Sequence, residues 1–205
     1  MPWLAVEKTY QFEGPEGTVS LLDLFDGRRQ LIVYRAFLDP GVHGWPDHGC
    51  VGCSLMADHI GNLAHLHARD TTLVYASRGS QADISRIKQR MGWSHPWYTI
   101  VPTADAAFDV DFGVDEWHGT NAFIREGDQV YRTYFIDSRG DEVFDNTFHF
   151  LDMPASEASR VPDLRAVNVR PVVMWRIYLA SAEQLGSASA RLAEMLLASA
   201  GAAPA

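Results

Sequence analysis

The sequence predicts an α/β fold with a mixed central sheet. Strand-like and helix-like patterns alternate over the first three quarters of the chain. Two of the strand candidates, Gln30–Leu38 and Thr71–Ser77, are apolar enough for burial on both faces. Ala122–Arg125 and Gln129–Ile136 flank a turn centred on Gly127, which indicates a hairpin. Two strand–helix steps followed by a hairpin are typical of helices layered on a sheet with both strand directions.

The N-terminal elements surround the first buried strand. Thr9–Phe12 predicts a short strand that ends at Gly14. Ser20 followed by Asp23 predicts a helix start, because the hydroxyl can cap the first turn and an acid stands three residues later. After the buried strand comes a loop rich in Gly, Pro and His, Asp39–Gly49.

The middle of the chain predicts two helices and a further strand. Ser54–His67 has the spacing of an amphipathic helix, and Ser80 is placed to cap a second one. Trp97–Val101 predicts the next strand. The residues expected to face inward are Met56, Ile60, Leu63 and His67 on the first helix, and Ile84, Ile87 and Met91 on the second.

The pattern weakens beyond Asp152, where several prolines occur. We expect residues 1–152 to form the α/β domain and residues 153–205 to form a helical C-terminal extension. The extension ends in an Ala- and Leu-rich amphipathic helix from about Trp175 to Ser199. Docking of this helix on its own body is favoured, and docking on a second subunit, as in a homodimer, is the alternative.

Charge and composition exclude several classes of function. Of the 205 residues, 47% are hydrophobic and 21% are charged, which is typical of a globular protein. The 17 basic and 26 acidic residues give a net charge of -9, so we expect no nucleic-acid partner. The apolar runs are too short to span a membrane, and the N-terminus lacks the pattern of an export signal. We therefore expect a cytoplasmic protein with no membrane partner.

The chain has two cysteines, Cys50 and Cys53, in the sequence Gly-Cys-Val-Gly-Cys-Ser. In a reducing compartment such a pair does not form a structural disulfide. It follows an apolar strand and opens an amphipathic helix, where free N–H groups and the helix dipole favour the thiolate of the first cysteine. The second cysteine, one turn deeper, is placed to attack a mixed disulfide. The pattern predicts dithiol exchange.

Two other interpretations of the cysteine pair stay open. Free cysteines are often small buried core residues, although the polar loop before Cys50 argues against that position. The interpretation as a structural zinc site has less support, because such a site needs four ligands and the chain has no second cysteine pair.

Several blocks of the chain together resemble a bacterial thioredoxin-like family, domain of unknown function 899. The blocks occur in order over about residues 3–152. They are Phe12–Gly17, Ser20–Phe25, Gly27–Tyr34, Gly49–Ser54, Ala68–Thr72, Arg90–Trp93, Phe123–Asp128 and Tyr131–Tyr134. The resemblance implies a thioredoxin-like three-layer fold with the Cys-x-x-Cys pair at a strand-to-helix junction. It implies no activity, since the family is named for lacking one.

The sequence departs from thioredoxin at two places. Gly49, rather than a tryptophan, stands before Cys50. The segment from His118 to Phe123 has no proline, whereas thioredoxins carry a cis-proline there beside the active site. In that fold the proline helps to dock substrate disulfides and keeps metal away from the thiolates. Its absence leaves room for another ligand.

His118 suggests a metal-binding alternative. By analogy with the thioredoxin-like fold, its loop lies next to the cysteine pair. Copper proteins of the Sco type, whose arrangement is similar, place a metal-binding histidine at a comparable distance before the corresponding strand. Cys50, Cys53 and His118 would form a soft ligand set suited to copper(I), and less to zinc. An exposed loop histidine is the competing interpretation.

The remaining histidines are weaker candidates. His43 and His48 lie in the loop before Cys50 and could orient or protonate a thiolate, although solvated loop residues are the more common case. His59 lies about 240° round the helix from Cys53 at ~100° per residue, so we exclude it as a ligand.

A third chemistry is that of a peroxidase similar to the peroxiredoxins. Those enzymes use the pattern Pro-x-x-x-Thr/Ser-x-x-Cys. Pro46 and Cys53 have this spacing, but Cys50 occupies the position of the hydroxyl residue. The match is incomplete, and this interpretation ranks last.

We therefore predict a thioredoxin-like oxidoreductase for two-electron thiol chemistry. Cys50 is the expected nucleophile and Cys53 the resolving thiol, acting on a small-molecule or protein thiol or disulfide. This reaction requires no cofactor, whereas the alternative is a copper protein or copper-dependent oxidase using Cys50, Cys53 and His118. A non-enzymatic protein that has kept the fold is a further possibility.

Overall fold

The computed structural model describes residues 3–113, 118–137, 140 and 143–147. Within them, a single sheet contains eight strands, and helices pack on both of its faces. The strands are β1 (Leu4–Ala5), β2 (Gln11–Gly14), β3 (Gly17–Ser20), β4 (Gln30–Arg35), β5 (Thr71–Ser77), β6 (Trp97–Val101), β7 (Gly119–Glu126) and β8 (Gln129–Asp137). The helices are α1 (Val51–Asp58), α2 (Ala64–His67), α3 (Gln81–Met91) and α4 (Phe108–Asp111), with a 3-10 turn at Asp23–Phe25.

The strand order explains the fold class. It runs β1-β8-β7-β4-β5-β6-β2-β3 across the sheet. β4 and β5 are parallel and are joined through α1, whereas β7 runs antiparallel to β4 and forms a hairpin with β8. A βαβ unit followed by a β-hairpin, with β4 at the centre, is the arrangement of a thioredoxin-like fold. The fold is α/β, with a mixed central sheet between helical layers.

Each face of the sheet carries its own hydrophobic core, because successive side chains of a strand point to opposite faces. Val33 of β4 belongs to the cluster that contains Phe25 of the 3-10 turn and Phe108 of α4. Its neighbour Tyr34 belongs to the other cluster, together with Cys53 of α1 and the apolar side of α3. The cysteine pair therefore lies on the α1 and α3 face of the sheet.

Several sequence predictions are confirmed by these elements. β5 and β6 have the predicted bounds, and the hairpin is formed by β7 and β8. Ser80 caps α3 by accepting the Asp83 N–H, and the three predicted inward residues of α3 are buried. Ser20 and Asp23 bond reciprocally, as their spacing predicts, but the helix that follows is only the short 3-10 turn.

The helix predicted over Ser54–His67 is wrong in its extent. α1 begins earlier, at Val51, and ends at Asp58, and a separate short helix, α2, follows. The connection runs from His59 to Leu63, and in it the Asn62 side chain accepts the Ala64 N–H at the start of α2, at 2.9 Å. The predicted apolar stripe is thus divided between two helices and their connection.

Three short elements were not predicted, and one predicted element lies outside the described residues. The first, β1, pairs with β8 at the edge of the sheet. β3 pairs with β2 as a small hairpin, and α4 covers the second face of the sheet. The C-terminal extension 153–205, with the helix predicted for Trp175–Ser199, lies outside the described residues. In the part that is described, no helix combines the length and the apolar character needed to cross a bilayer.

A buried network of charges closes the carboxyl end of β4. The Arg35 side chain is fully buried and donates to Asp39 Oδ2 at 2.6 Å and to Asp109 Oδ2 at 3.2 Å. It also donates to the Ala36 carbonyl at 2.7 Å. Arg78, after β5, donates through Nε to Asp109 Oδ2 at 2.7 Å and through its backbone N–H to Asp39 Oδ1 at 2.9 Å. The network ties the loop after β4 to β5 and α4.

We expect Asp109→Ala to lower the free energy of unfolding by about 3 kcal/mol, because removing one partner of a buried ion pair leaves its charge poorly compensated. Urea denaturation measures the loss. Asp111→Ala is the matched control on the same helix, since Asp111 pairs with the exposed Lys8 at 2.7 Å. An exposed pair contributes about 1 kcal/mol or less. Equal losses in the two variants would contradict the network's role.

Candidate active site

The cysteine pair lies where the loop after β4 enters α1. Cys50 is the N-cap residue of α1, and its sulfur accepts the Cys53 N–H at 3.4 Å. Its carbonyl accepts the Ser54 N–H at 3.1 Å and the Ser54 hydroxyl at 2.9 Å. The Cys50 sulfur thus takes the position of the oxygen in an ordinary capping side chain. The first turn of the helix fixes both cysteines on one side.

The two sulfur atoms are in contact. Cys53 Sγ donates to Cys50 Sγ at a sulfur–sulfur distance of 2.9 Å, and both cysteines are free thiols. Cys53 is completely buried, whereas Cys50 is partly exposed. The Phe37 N–H donates to Cys53 Sγ at 3.1 Å from the loop after β4. Cys50 is therefore the cysteine that a reactant can approach, and the Cys53 sulfur lies in contact with its sulfur.

The Cys50 thiol is acidic. Its pKa falls from 9.0 to about 6, chiefly because the Cys53 side chain donates a hydrogen bond to its sulfur. Burial opposes this shift, while the Cys53 backbone N–H and the electrostatic influence of His118 and His43 lower the pKa of Cys50 further. At neutral pH the Cys50 sulfur is therefore mainly a thiolate, the nucleophilic form of cysteine.

The Cys53 thiol has the opposite character. Burial raises its pKa well above 9.0, and the hydrogen bond to Cys50 and the charge of Cys50 raise it further. Hydrogen bonds from the Phe37 backbone and from the Tyr34 side chain act in the other direction. In the resting pair, one proton stays on Cys53 and the negative charge stays on Cys50. The two cysteines differ in role before any reactant arrives.

Two positions of the loop before the cysteines, Trp45 and Gly49, are buried and tightly packed. Trp45 is 5% exposed and packs with Trp97 at 6.3 Å between ring centroids, so it has a structural role. A Cβ atom on Gly79 would lie 2.7 Å from Trp45 Cζ2, and a Cβ atom on Gly49 would collide with Leu38. The glycine before Cys50 is therefore required by packing, where thioredoxin has a tryptophan.

The structure separates the histidines that the sequence singled out. His118 lies beside the site, 6.2 Å from Tyr34 between ring centroids, and His43 packs against the Phe37 ring at 5.6 Å. The charges of both reach Cys50. His48 is not among the groups that act on Cys50. His59 sits at the far end of α1, where it contacts the Leu55 carbonyl at 2.7 Å and Asp145 at 3.1 Å.

The predicted metal ligands are only partly assembled. Cys50 and Cys53 touch, and His118 is close enough for its charge to act on Cys50. Across residues 3–113, 118–137, 140 and 143–147, no three side chains of His, Cys, Asp or Glu gather in an arrangement that could hold a metal ion. The copper set of Cys50, Cys53 and His118 stays a prediction from the sequence.

Sequence reasoning missed the two groups that lower the pKa of the Cys53 thiol, the Phe37 N–H and the Tyr34 side chain. Tyr34 was counted only as part of an apolar strand, and Phe37 acts through its backbone N–H, which has no signature in the sequence. The one available signal was the alternation of β4, which places Tyr34 on the same face as the cysteine-bearing helix.

Comparisons with solved structures show only distant similarity. The bacterioferritin comigratory protein of Xanthomonas campestris, studied for alkyl peroxide reduction, is 11% identical at a TM-score of 0.43, covering 71% of this chain and 92% of that one. Apo Sco1 of Thermus thermophilus is 13% identical at a TM-score of 0.41, and the match covers 72% of this chain and 89% of that one. A hypothetical protein of Sinorhizobium meliloti is 12% identical at a TM-score of 0.43, and the match covers 76% of this chain and 84% of that one. Among curated proteins, no sequence matches the chain.

One protein family matches most of the chain. Its description is a bacterial protein of unknown function, DUF899, and the match covers residues 1–160. This span includes the whole sheet, α1 to α4 and both cysteines. The resemblance carried by the sequence blocks is thereby confirmed. The chain belongs to DUF899, a family of bacterial proteins of unknown function.

Proposed function

We propose that this protein is a dithiol–disulfide oxidoreductase, with Cys50 as the nucleophile and Cys53 as the resolving thiol. One observation carries the proposal: the partly exposed Cys50 sulfur accepts a hydrogen bond from the buried Cys53 sulfur at 2.9 Å. This contact gives an acidic, accessible thiol in front of a protonated, protected one. The reaction needs no metal or organic cofactor, and we place it in the cytoplasm.

The proposed reaction has two steps. The Cys50 thiolate attacks a disulfide R–S–S–R′, so that a Cys50–S–S–R bond forms and R′–S⁻ leaves. Cys53 then loses its proton and attacks Cys50 Sγ, which forms the Cys50–Cys53 bond and releases R–S⁻. One released thiolate takes up the Cys53 proton, and the other takes up a proton from solvent, equivalent to the one that Cys50 gave up when it became a thiolate. The substrate disulfide is reduced by two electrons, and the protein dithiol is oxidised.

The accessible cysteine determines which substrates fit. Because Cys53 is sealed from solvent, a substrate sulfur can approach only Cys50. The loop on the approach side carries the exposed His43, and His118 lies on the side of β7. We propose a small-molecule or protein disulfide as the substrate class, without a nucleic-acid or membrane partner.

We expect iodoacetamide to alkylate Cys50 with an apparent pKa near 6, whereas Cys53 stays unmodified in the folded protein. Alkylation rates between pH 5 and 9, measured by peptide mass spectrometry, test this. Cys53→Ala removes the S–H donor and raises the pKa of Cys50 by about 1–2 units, since a hydrogen bond to a charged group contributes about 1.5–3 kcal/mol.

Cys53→Ser is the matched control for this measurement, because a hydroxyl at position 53 can still donate to the Cys50 sulfur. We expect its effect on the pKa of Cys50 to be smaller than that of Cys53→Ala. A wild-type pKa near the ordinary value of ~8.5 would remove the basis of the proposal.

We also expect oxidation with diamide to give a reversible Cys50–Cys53 disulfide, seen as the loss of two hydrogens in the intact mass. Cys53→Ser should accumulate a mixed disulfide with a small thiol, because the resolving sulfur is missing. Cys50→Ser should form no mixed disulfide, because Cys53 is buried. Equal trapping in the two variants would contradict the assigned roles.

A further inference from the structure

The peptide group between Ala36 and Phe37 is held at both of its polar atoms. Arg35 Nη1 donates to the Ala36 carbonyl at 2.7 Å, and the Phe37 N–H donates to Cys53 Sγ at 3.1 Å. The carbonyl and the N–H belong to one planar trans unit, in which they point in opposite directions. A bond that fixes the carbonyl therefore also fixes the direction of the N–H. A single peptide group thus connects a buried cation to the buried sulfur.

The Arg35 guanidinium is itself held in one orientation. The side chain is fully buried, and its second terminal nitrogen, Nη2, donates to Asp39 Oδ2 at 2.6 Å and to Asp109 Oδ2 at 3.2 Å. Its Cζ lies 5.4 Å from the centroid of the Phe37 ring, a distance typical of a cation–π contact. Because the guanidinium is planar, the carboxylates on Nη2 determine where Nη1 points. The Ala36 carbonyl is therefore bound by a fixed donor.

We propose that Arg35 is a positioning residue of the dithiol reaction: through one peptide group it directs the Phe37 N–H at the Cys53 thiolate as that thiolate attacks the mixed disulfide. This inference rests on the proposed function and adds to it a residue that acts from the opposite face of the sheet. Arg35 does not contact the sulfur. Its effect passes through the peptide, because a cation bound to the carbonyl polarises the group and strengthens the N–H as a donor.

The second step of the reaction creates the need for such a donor. In the resting pair, the Cys53 S–H donates to the Cys50 sulfur. Once Cys50 carries the substrate sulfur, that acceptor has lost its charge, and Cys53 must become an anion in a site with no exposure to solvent. A buried charge without hydrogen-bond partners is strongly unfavourable. A donor that is already aimed at the sulfur reduces this cost without any rearrangement.

The arrangement requires an arginine rather than any cation. The guanidinium distributes two nitrogens over three acceptors, with Nη1 on the carbonyl and Nη2 on the two carboxylates. A lysine ammonium is a single nitrogen and cannot occupy both positions. Arg35→Lys therefore keeps the positive charge that balances the carboxylates and loses the bond to the carbonyl. This variant separates positioning of the peptide from charge balance.

The assisted step balances without an added oxidant or reductant. The Cys53–H proton leaves, the Cys53–Cys50 sulfur bond forms, and the bond between Cys50 and the substrate sulfur breaks. The substrate thiolate carries away the electron pair of the broken bond and takes up a proton. Arg35 and the peptide group exchange neither atoms nor electrons, since they act only as hydrogen-bond donors.

Dithiodipyridine separates the two steps, because each one releases a coloured thiopyridone. The first phase depends on reagent concentration, whereas the second is intramolecular and does not. In Arg35→Lys we expect the second phase to slow by roughly three- to tenfold, while the first changes by less than about twofold. The logarithm of the second-phase rate, plotted against pH, should move by about half a unit to one unit to higher pH.

Arg78→Lys is the matched control, because it makes the same substitution in the same ion network. The Arg78 side chain donates to Asp109 Oδ2 at 2.7 Å rather than to the Ala36 carbonyl. We expect its second phase to stay within about twofold of the wild type and its pH profile to be unchanged. Melting temperatures verify that the variants are folded. Where Arg35→Lys is unfolded, Arg35→Met combined with Asp109→Asn removes one charge of each sign, and Arg78→Met with Asp109→Asn is its control.

A second measurement removes the donor without changing a side chain. Incorporation of phenyllactic acid, the α-hydroxy acid analogue of phenylalanine, replaces the Phe37 N–H by an ester oxygen. We expect the second phase to slow at least as much as in Arg35→Lys. In the ester-bearing protein, Arg35→Lys should have less than about a twofold further effect, because the N–H through which Arg35 acts is gone.

The outcomes separate this proposal from the one it rests on. The role of Arg35 is overturned if Arg35→Lys leaves the second phase unchanged, slows both phases alike, matches Arg78→Lys, or keeps its full effect in the ester-bearing protein. If the wild-type protein shows no second phase that is independent of reagent concentration, the dithiol function itself fails, and the role of Arg35 fails with it.

Discussion

The contact between the two cysteine sulfurs is the interaction on which the chemistry of this protein depends. Two identical side chains become different because one is partly exposed at the start of α1 and the other is completely buried. The buried sulfur keeps its proton because an anion there is poorly solvated, and it donates that proton toward the exposed sulfur. Burial of Cys53 therefore makes Cys50 acidic. The asymmetry arises from position in the fold rather than from residue type.

The loop between β4 and α1 must be held still for this contact to persist. Phe37, whose N–H meets the Cys53 sulfur, lies between Arg35 and Asp39, and the buried ion pair of these two closes the segment. Asp109 adds a third fixed point from α4, on the opposite face of the sheet. Removing charges from water is costly, and such networks often provide specificity of conformation more than stability. Here the conformation that they specify is the one that directs a peptide N–H at a reacting sulfur.

Local patterns predicted the elements, and long-range packing decided the site. β5, β6 and α3 could be predicted because each has its own periodicity or cap, such as Ser80 for α3. The helix over Ser54–His67 was overextended because apolar spacing continues across the connection between α1 and α2, in which the Asn62 side chain accepts the Ala64 N–H. The Cys50–Cys53 spacing located the site, but Tyr34 and Cys53 come into one buried cluster only after β4 and α1 pack together. His118 could be placed near the pair only through the resemblance to the thioredoxin-like fold, since the sequence around it contains no motif.

Two neighbouring residues of β4, Tyr34 and Arg35, belong to the thiol cluster and to the buried ion network, respectively. Tyr34 points to the α1 face and lies in the same buried cluster as Cys53, while Arg35 points to the α4 face and joins the ion network. A strand buried on both faces can do this because its side chains alternate and because it lies at the centre of the sheet. A slip of one residue in the pairing of β4 would exchange the two faces, placing a charge against the thiols and a phenol against Asp109. The register of β4 with β5 and β7 is thus the structural condition for the redox site, and the buried ion network stabilises that register at its carboxyl end.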